Sequence, residues 1–314
     1  LKTGCAWLAH GSDLGGSLRN PASFCGVVGL RPSPGRVPKG PAGDPFGTLS
    51  VEGPMARTVS DLALFLDAMA GPDAREPLML GAPDRPYRSF AAEARPPRRV
   101  AFSPDLGITP VDPEIAALCE AAALRCEALG ATVERASPDF SGAHEAFQTL
   151  RALGFATAHA DRLAKHRDLL KEEVIWNAEK GLALTGAEVA EATRLRAGIV
   201  ERARVFFQTY DLLLCPATVV QPFPVETRWP AECAGVAFET YVDWLAIVYA
   251  VTLAGLPALS LPCGFTAAGM PVGLQMVGKP RGEGPLLGFA AALEAELALD
   301  RKSTRLNSSH VCSS

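Results

Sequence analysis

Between Arg99 and Arg135 the hydrophobic period changes twice. Arg99–Phe102 reads as a short strand, Asp112–Leu129 as a helix, and Thr132–Arg135 as the next strand. The helix opens on Asp-Pro and closes before Gly130, a good start and a good stop. A strand–helix–strand alternation needs a sheet with helices packed on it, so it predicts an α/β fold. Thr58–Ala70 is apolar at helical spacing, with Ser60 and Asp61 placed to cap it and Gly71–Pro72 to stop it. Gly71–Pro97 reads as a proline-rich connector. Ser141–Tyr210 predicts several amphipathic helices, Asp211–Cys215 a buried strand, and Phe238–Ala254 a helix. Ala258–Pro262 and Val272–Val277 predict strands, and Gly284–Leu297 a last helix. Residues 11–56 are rich in Gly, Pro and Ser, which predicts loops around short strands such as Val27–Leu30.

Composition removes several function classes. The 314 residues carry a net charge of −4 with no basic stripe, so no nucleic-acid partner is expected. No run of 18 apolar residues appears, so no membrane association is expected. The eight cysteines form no CxxC pair and match no zinc spacing. They read as scattered reduced thiols, which suits a cytoplasmic protein.

Chemistry concentrates in Gly11–Pro38, GSDLGGSLRNPASFCGVVGLRPSPGRVP. Two glycines precede Ser17, and such a turn can aim successive backbone N–H groups at one point. Those groups would suit the oxyanion formed when a serine attacks a carbonyl. The run lacks the spacing of a dinucleotide-binding loop, a P-loop or a G-x-S-x-G elbow. Asp13 and Arg19 flank the serine and read as a buried ion pair fixing the loop, ahead of substrate-binding charges. Ser12 reads equally as support for the loop or as a turn cap. Cys25 reads as packing. His10 lies close enough in sequence to suggest a Ser–His pair.

The whole run resembles the second half of the motif of the amidase-signature (Ser-Ser-Lys) hydrolases. GPMARTVSDLALFLDAMAGPD, DLLLCPAT and LAGLPALSLPCGF–GMPVGLQMVGKPRGE resemble further segments of that family, in its order. The resemblance covers Leu1–Leu299 and is least specific over Ser141–Tyr210. It implies an amidase-signature fold, a mixed β-sheet core covered by helices on both faces. It implies Ser17 as acyl-enzyme nucleophile, with the N–H groups of Leu14, Gly15, Gly16 and Ser17 as the oxyanion hole. The family needs no histidine, so His10 is not expected to act in catalysis. The resemblance also implies a small-molecule amide substrate and no cofactor or metal. Pro216, Thr218, Tyr241 and Trp244 fall where relatives border the substrate pocket, and core aromatics are an equal reading for the last two. Thr252 stands where many relatives have asparagine. The Ser141–Tyr210 helices admit a lid or a homodimer face, with plain packing as the default.

The family's lysine and second serine belong upstream of residue 1, so the chain reads as the C-terminal two-thirds of an amidase-signature domain spanning residues 1–299. LKTGCAWLAHG resembles the end of the helix after that second serine. Asp300–Ser314 reads as adapter read-through, foreign to the natural protein. A competing reading is the A-type subunit of a tRNA-dependent, glutamine-forming amidotransferase. Gly43–Gly53 (GDPFGTLSVEG) speaks for the free amidases. A non-catalytic homologue is the third reading.

Overall fold

The structure, a computed structural model, describes residues 1–40 and 44–299. The predicted foreign tail and Gly43 lie outside the described residues. One eight-stranded sheet runs through the molecule. Its strands in chain order are β1 (Leu8–Asp13), β2 (Val28–Arg31), β3 (Val51–Ala56), β4 (Arg99–Phe102), β5 (Thr132–Arg135), β6 (Leu212–Pro216), then, after a two-stranded hairpin of β7 (Glu232–Cys233) and β8 (Val236–Ala237), β9 (Ala258–Phe265) and β10 (Pro271–Val277). The order across the sheet is β1-β3-β2-β9-β10-β6-β4-β5. β4 runs parallel to β5 and β6, and the other neighbours are antiparallel. The sheet is therefore mixed, and α4 (Pro113–Ala128) makes the crossover between β4 and β5.

Strand residues alternate between the two faces, as a period of two requires. Val100, Phe102, Leu212, Leu214, Leu259, Leu261, Leu274 and Met276 face one core. Over it lie α2 (Val59–Met69), α3 (Tyr87–Glu93), α4 and α9 (Glu283–Leu297). Ala101, Leu213, Cys215, Ala258 and Val277 face the other. That face is covered by α5 (Ala143–His166), α7 (Gly186–Phe206) and α8 (Ala246–Leu253), with α6 (Glu172–Leu182) packed on α5. The short α1 (Arg19–Cys25) crosses β9 and β10. There the strands turn polar, at Ser260 and Gln275, both fully buried.

Four expectations change. The Gly71–Pro97 segment, read as a connector, contains the helix α3. Thr58, not Ser60 or Asp61, caps α2, because its hydroxyl accepts from Asp61 N–H at 3.0 Å and both later residues lie inside the helix. Residues 238–241 are not helical; a 3₁₀ turn at Asp243–Leu245 precedes α8. Leu8–Asp13 is a strand rather than a helix end, paired with β3 so that Gly11 faces Gly53 and His10 faces Pro54. Among the described residues, no helix is long and apolar enough to cross a membrane.

Candidate active site

The loop from Leu14 to Leu18 joins β1 to α1, and one carboxylate organises it. Asp13 ends β1, fully buried. Its Oδ1 accepts from Gly16 N–H at 2.9 Å and its Oδ2 from Leu18 N–H at 3.2 Å. Arg19 grips the same carboxylate through Nε at 3.0 Å and Nη2 at 2.9 Å. Arg31 lies 3.3 Å from it and also donates to the Asp13 carbonyl. Burial opposes ionisation, but the charge and hydrogen bonds of Arg19, the charge of Arg31 and the Gly16 N–H outweigh it. They hold the Asp13 carboxyl well below the usual range. Burial draws the Arg31 guanidinium down to about 10, against the attraction of Asp13.

Arg19 ties this loop to the rest of the molecule. Nη1 donates to Val248 O at 2.9 Å and Gln275 Oε1 at 2.6 Å, and Nη2 to Thr252 Oγ1 at 2.9 Å. The polar residues of α8 and β10 thus serve the loop from beneath. Thr252, fully buried, contacts the arginine. Asp13 and Arg19 are an inaccessible ion pair at 2.9 Å, with both side chains fully buried.

Above this base Ser17 is exposed. Gly16 has φ +109°, and a Cβ there would come within 2.3 Å of Asn20 Oδ1 and 2.5 Å of Val248 Cγ2. Of the four expected oxyanion donors, Gly16 N–H donates to Asp13 Oδ1 in this structure. The N–H groups of Leu14, Gly15 and Ser17 are taken by no hydrogen bond among the described residues.

Ser17 opens onto a cleft of 480 Å³. The loop and Asn20 form one side of it; Phe147, Arg151 and Phe155 of α5 form another, and Trp229, Tyr241 and Trp244 close it. Phe147 stacks on Tyr249 of α8 with centroids 4.1 Å apart, which fixes the rotation of α5 about its axis. Arg151 lies one turn further on and Phe155 one turn beyond it, so all three share a face. Trp244 is stacked on Phe24 at 6.2 Å and meets Phe223 edge-on. No His, Lys, Asp or Glu lines the cleft among the described residues.

Tyr241 and Trp244 are therefore in the cleft wall. Pro216 and Thr218 are not: both are buried, and Thr218 packs its hydroxyl 3.4 Å from Ser23 of α1. Ser12 is exposed on β1 opposite Glu52, and its hydroxyl bonds nothing in the loop. His10 pairs with Glu52 at 2.8 Å, away from the cleft. Cys25 is exposed rather than packed. Sequence reasoning missed Phe147, Arg151, Phe155, Arg228 and Trp229. The signal for the first three was there: a cation between two aromatic residues at spacings of four. A separate cavity of 430 Å³, between β9 and α9, includes no part of the Ser17 loop.

A serine raised on a glycine turn, over a mixed sheet and facing an aromatic cleft, marks an α/β protein that presents one hydroxyl to a cleft. The chain belongs to the amidase family, whose model, described as Amidase, matches residues 3–287. It is similar to the acylamidase of Rhodococcus erythropolis, 36% identical over 299 residues, covering 94% of this chain and 62% of that protein. It is 31% identical over 330 residues to the A-type glutamyl-tRNA(Gln) amidotransferase polypeptide of Moorella thermoacetica, covering 98% of this chain and 66% of that one. Among solved structures it resembles a bacterial aryl acylamidase of the amidase-signature enzymes, with TM-score 0.86 and 25% identity, covering 94% of this chain and 63% of the other. It also resembles 6-aminohexanoate cyclic dimer hydrolase in complex with its substrate, with TM-score 0.82 and 28% identity, covering 93% and 65%. The chain thus spans less than two thirds of the length of the acylamidase and of both solved structures.

Proposed function

We propose that Ser17 is the nucleophile of an amide hydrolase that cleaves a small carboxamide to a carboxylic acid and ammonia or an amine. The observation that carries this is the loop itself. Ser17 is exposed at the mouth of a cleft, next to backbone N–H groups that no protein acceptor occupies among the described residues. Attack by Oγ on an amide carbon places negative charge on the carbonyl oxygen. Fixed N–H donors at Leu14, Gly15 and Ser17 stabilise that charge without reorganising, which is where such sites gain most. Collapse expels the amine and leaves an ester on Ser17, which water then hydrolyses.

Ser17 also needs a base, and the cleft provides none among the described residues. The family resemblance implies a lysine acting through a second serine, with the same relay protonating the leaving amine. In the protein that contains this chain, Ser17→Ala is expected to lower kcat on simple aryl and aliphatic amides by at least about a thousandfold. An acyl adduct should appear by mass spectrometry on the peptide that carries Ser17. The isolated 314-residue chain is expected to turn over none of them. Amide turnover by that chain, abolished by Ser17→Ala, would overturn the need for that relay; full activity of Ser17→Ala in the whole protein would overturn the nucleophile.

The similarity to the amidotransferase polypeptide supports a second reading, transfer of ammonia within a tRNA-linked complex. The higher identity to the acylamidase favours the free amidase. A cytoplasmic location is part of the proposal. It is supported by five buried free thiols among the described residues, including Cys119 and Cys263, whose sulfurs are in hydrogen-bond contact at 4.0 Å without a disulfide.

A further inference from the structure

Arg151 is 9% exposed, on α5, at the junction of the Ser17 cleft and an adjoining cavity of 730 Å³. Both of its hydrogen bonds go to neutral acceptors. Nη1 donates to Asn177 Oδ1 and Nη2 to the Tyr241 hydroxyl at 2.6 Å. Its guanidinium lies over the rings of Phe155, at 4.4 Å, and Tyr241, at 5.3 Å. The acceptors are themselves braced, because Asn177 Nδ2 donates to Glu173 O at 2.6 Å and to Tyr241 Oη at 2.7 Å. Three elements thus hold one cation in a fixed orientation.

No carboxylate pairs with Arg151 among the described residues. The other cation of the cleft differs: Arg228 is exposed and paired with Glu173. Taking a guanidinium out of water without a counter-ion is costly, and a molecule carries that cost only where something else gains. An arginine has five donors in a rigid fork matched to a planar anion, and here only two bonds are made to protein. Arg151 lines both the Ser17 cleft and the adjoining cavity.

We propose that Arg151 is a specificity-determining residue that binds a carboxylate on the substrate, so that the amide taken by this cleft is an anionic one. The stretch between scissile amide and carboxylate would lie along the aromatic wall of Phe147, Phe155 and Trp244 and is aliphatic or aromatic. The inference rests on the reading of Ser17 as nucleophile, and its test separates the two. Two matched pairs are assayed in the protein containing this chain. Glutaryl-4-nitroanilide against pentanoyl-4-nitroanilide places the carboxylate on the acyl side. 4-Acetamidobenzoate against acetanilide places it on the amine side.

The expected result is a preference in kcat/KM of at least about tenfold for the carboxylate member of one pair, the size of a hydrogen bond to a charged group. Arg151→Gln should abolish the preference, lowering kcat/KM for the carboxylate member at least about tenfold more than for the neutral member, and Arg151→Lys should keep part of it. Hydrolysis of the neutral members with no preference in either pair overturns the proposal. So does a preference that survives Arg151→Gln, or an equal loss on both members, which would mark a structural role. If no member is hydrolysed, the Ser17 reading has failed, and thermal melting decides the anion site alone. Glutarate or benzoate should then raise Tm with concentration in the wild type, less in Arg151→Lys and not in Arg151→Gln; no rise in the wild type, or an equal rise in Arg151→Gln, overturns it.

Discussion

At the scale of single residues, Gly16 carries the tightest constraint in the site. Its backbone is in the left-handed region at φ +109°, where a side chain is strained, and Asn20 and Val248 fill the space a Cβ would need. Its N–H also anchors the turn to Asp13. Gly16→Ala should therefore destabilise the protein by about 1–3 kcal/mol, the range for forced backbone strain, measured by denaturant unfolding. It should also lower kcat by about a hundredfold or more, comparable with loss of one oxyanion donor, because the N–H groups on either side move together. A variant with unchanged kcat would mean that the loop does not stabilise the transition state. The motif around Ser17 was legible because glycines in sequence are a direct statement about backbone. The identity of each donor was not. Which N–H points outward depends on where the Asp13 carboxylate lies, and that is set by the register of β1 on β3 and by two arginines from elsewhere.

Between elements, the crossing of α5 and α6 positions the far wall of the cleft. Gly181 on α6 lies against the α5 backbone; a Cβ there would come within 2.0 Å of Ala152 O. This contact holds Asn177 of the same helix next to Arg151, the residue before Ala152. Gly181→Ala must push the helices apart, at a cost of about 1–3 kcal/mol for overpacking. Because Ser17 belongs to a different part of the fold, the expected kinetic effect is a raised KM with kcat changed less than about threefold. A fall in kcat with KM unchanged would contradict this division of roles. Ser141–Tyr210 predicted helices, and α5, α6 and α7 are there. Their part in the cleft was not apparent, since an amphipathic pattern gives the buried stripe but not the partner. The stripe of Phe147, Arg151 and Phe155 splits between core and cleft only because Phe147 stacks on Tyr249. The strands β1 and β3 escaped notice for other reasons: the segment entering β1 reads as a helix end, the Gly-Pro of β3 imitates loop, and only pairing with each other and with β2 makes them strands.

For the whole molecule, the cluster of Asp13, Arg19 and Arg31 joins β1, β2, α1, α8 and β10 through one carboxylate. Its effect on stability has a defined sign. The Asp13 carboxyl is held below its ordinary value in the folded state, so the unfolded chain binds the proton more readily. Its contribution is complete above the unfolded pKa, roughly 4, and is lost as pH falls below that toward the folded value. Acid unfolding of the wild type should therefore steepen below about pH 4. Asp13→Asn should remove that part of the pH dependence and cost about 3–5 kcal/mol at neutral pH, because two buried guanidiniums lose their partner. Denaturant melts from about pH 7 to about pH 2 would show both. An Asp13→Asn protein as stable as wild type at neutral pH would contradict the assignment.

The sequence by itself determined the family, the α/β alternation, the serine and the turn that raises it. These are local properties: glycine conformation, hydrophobic period and residue order survive without any knowledge of neighbours in space. Tertiary structure alone decided which N–H groups remain for a ligand, which arginines are neutralised and which residues face the cleft. Arg19, Arg31 and Arg151 are the same side chain in sequence. Two of them meet Asp13 and become scaffold, while the third, among the described residues, meets Asn177, Tyr241 and aromatic faces. Charge compensation is a property of distance between segments far apart in the chain, so only the folded molecule assigns it.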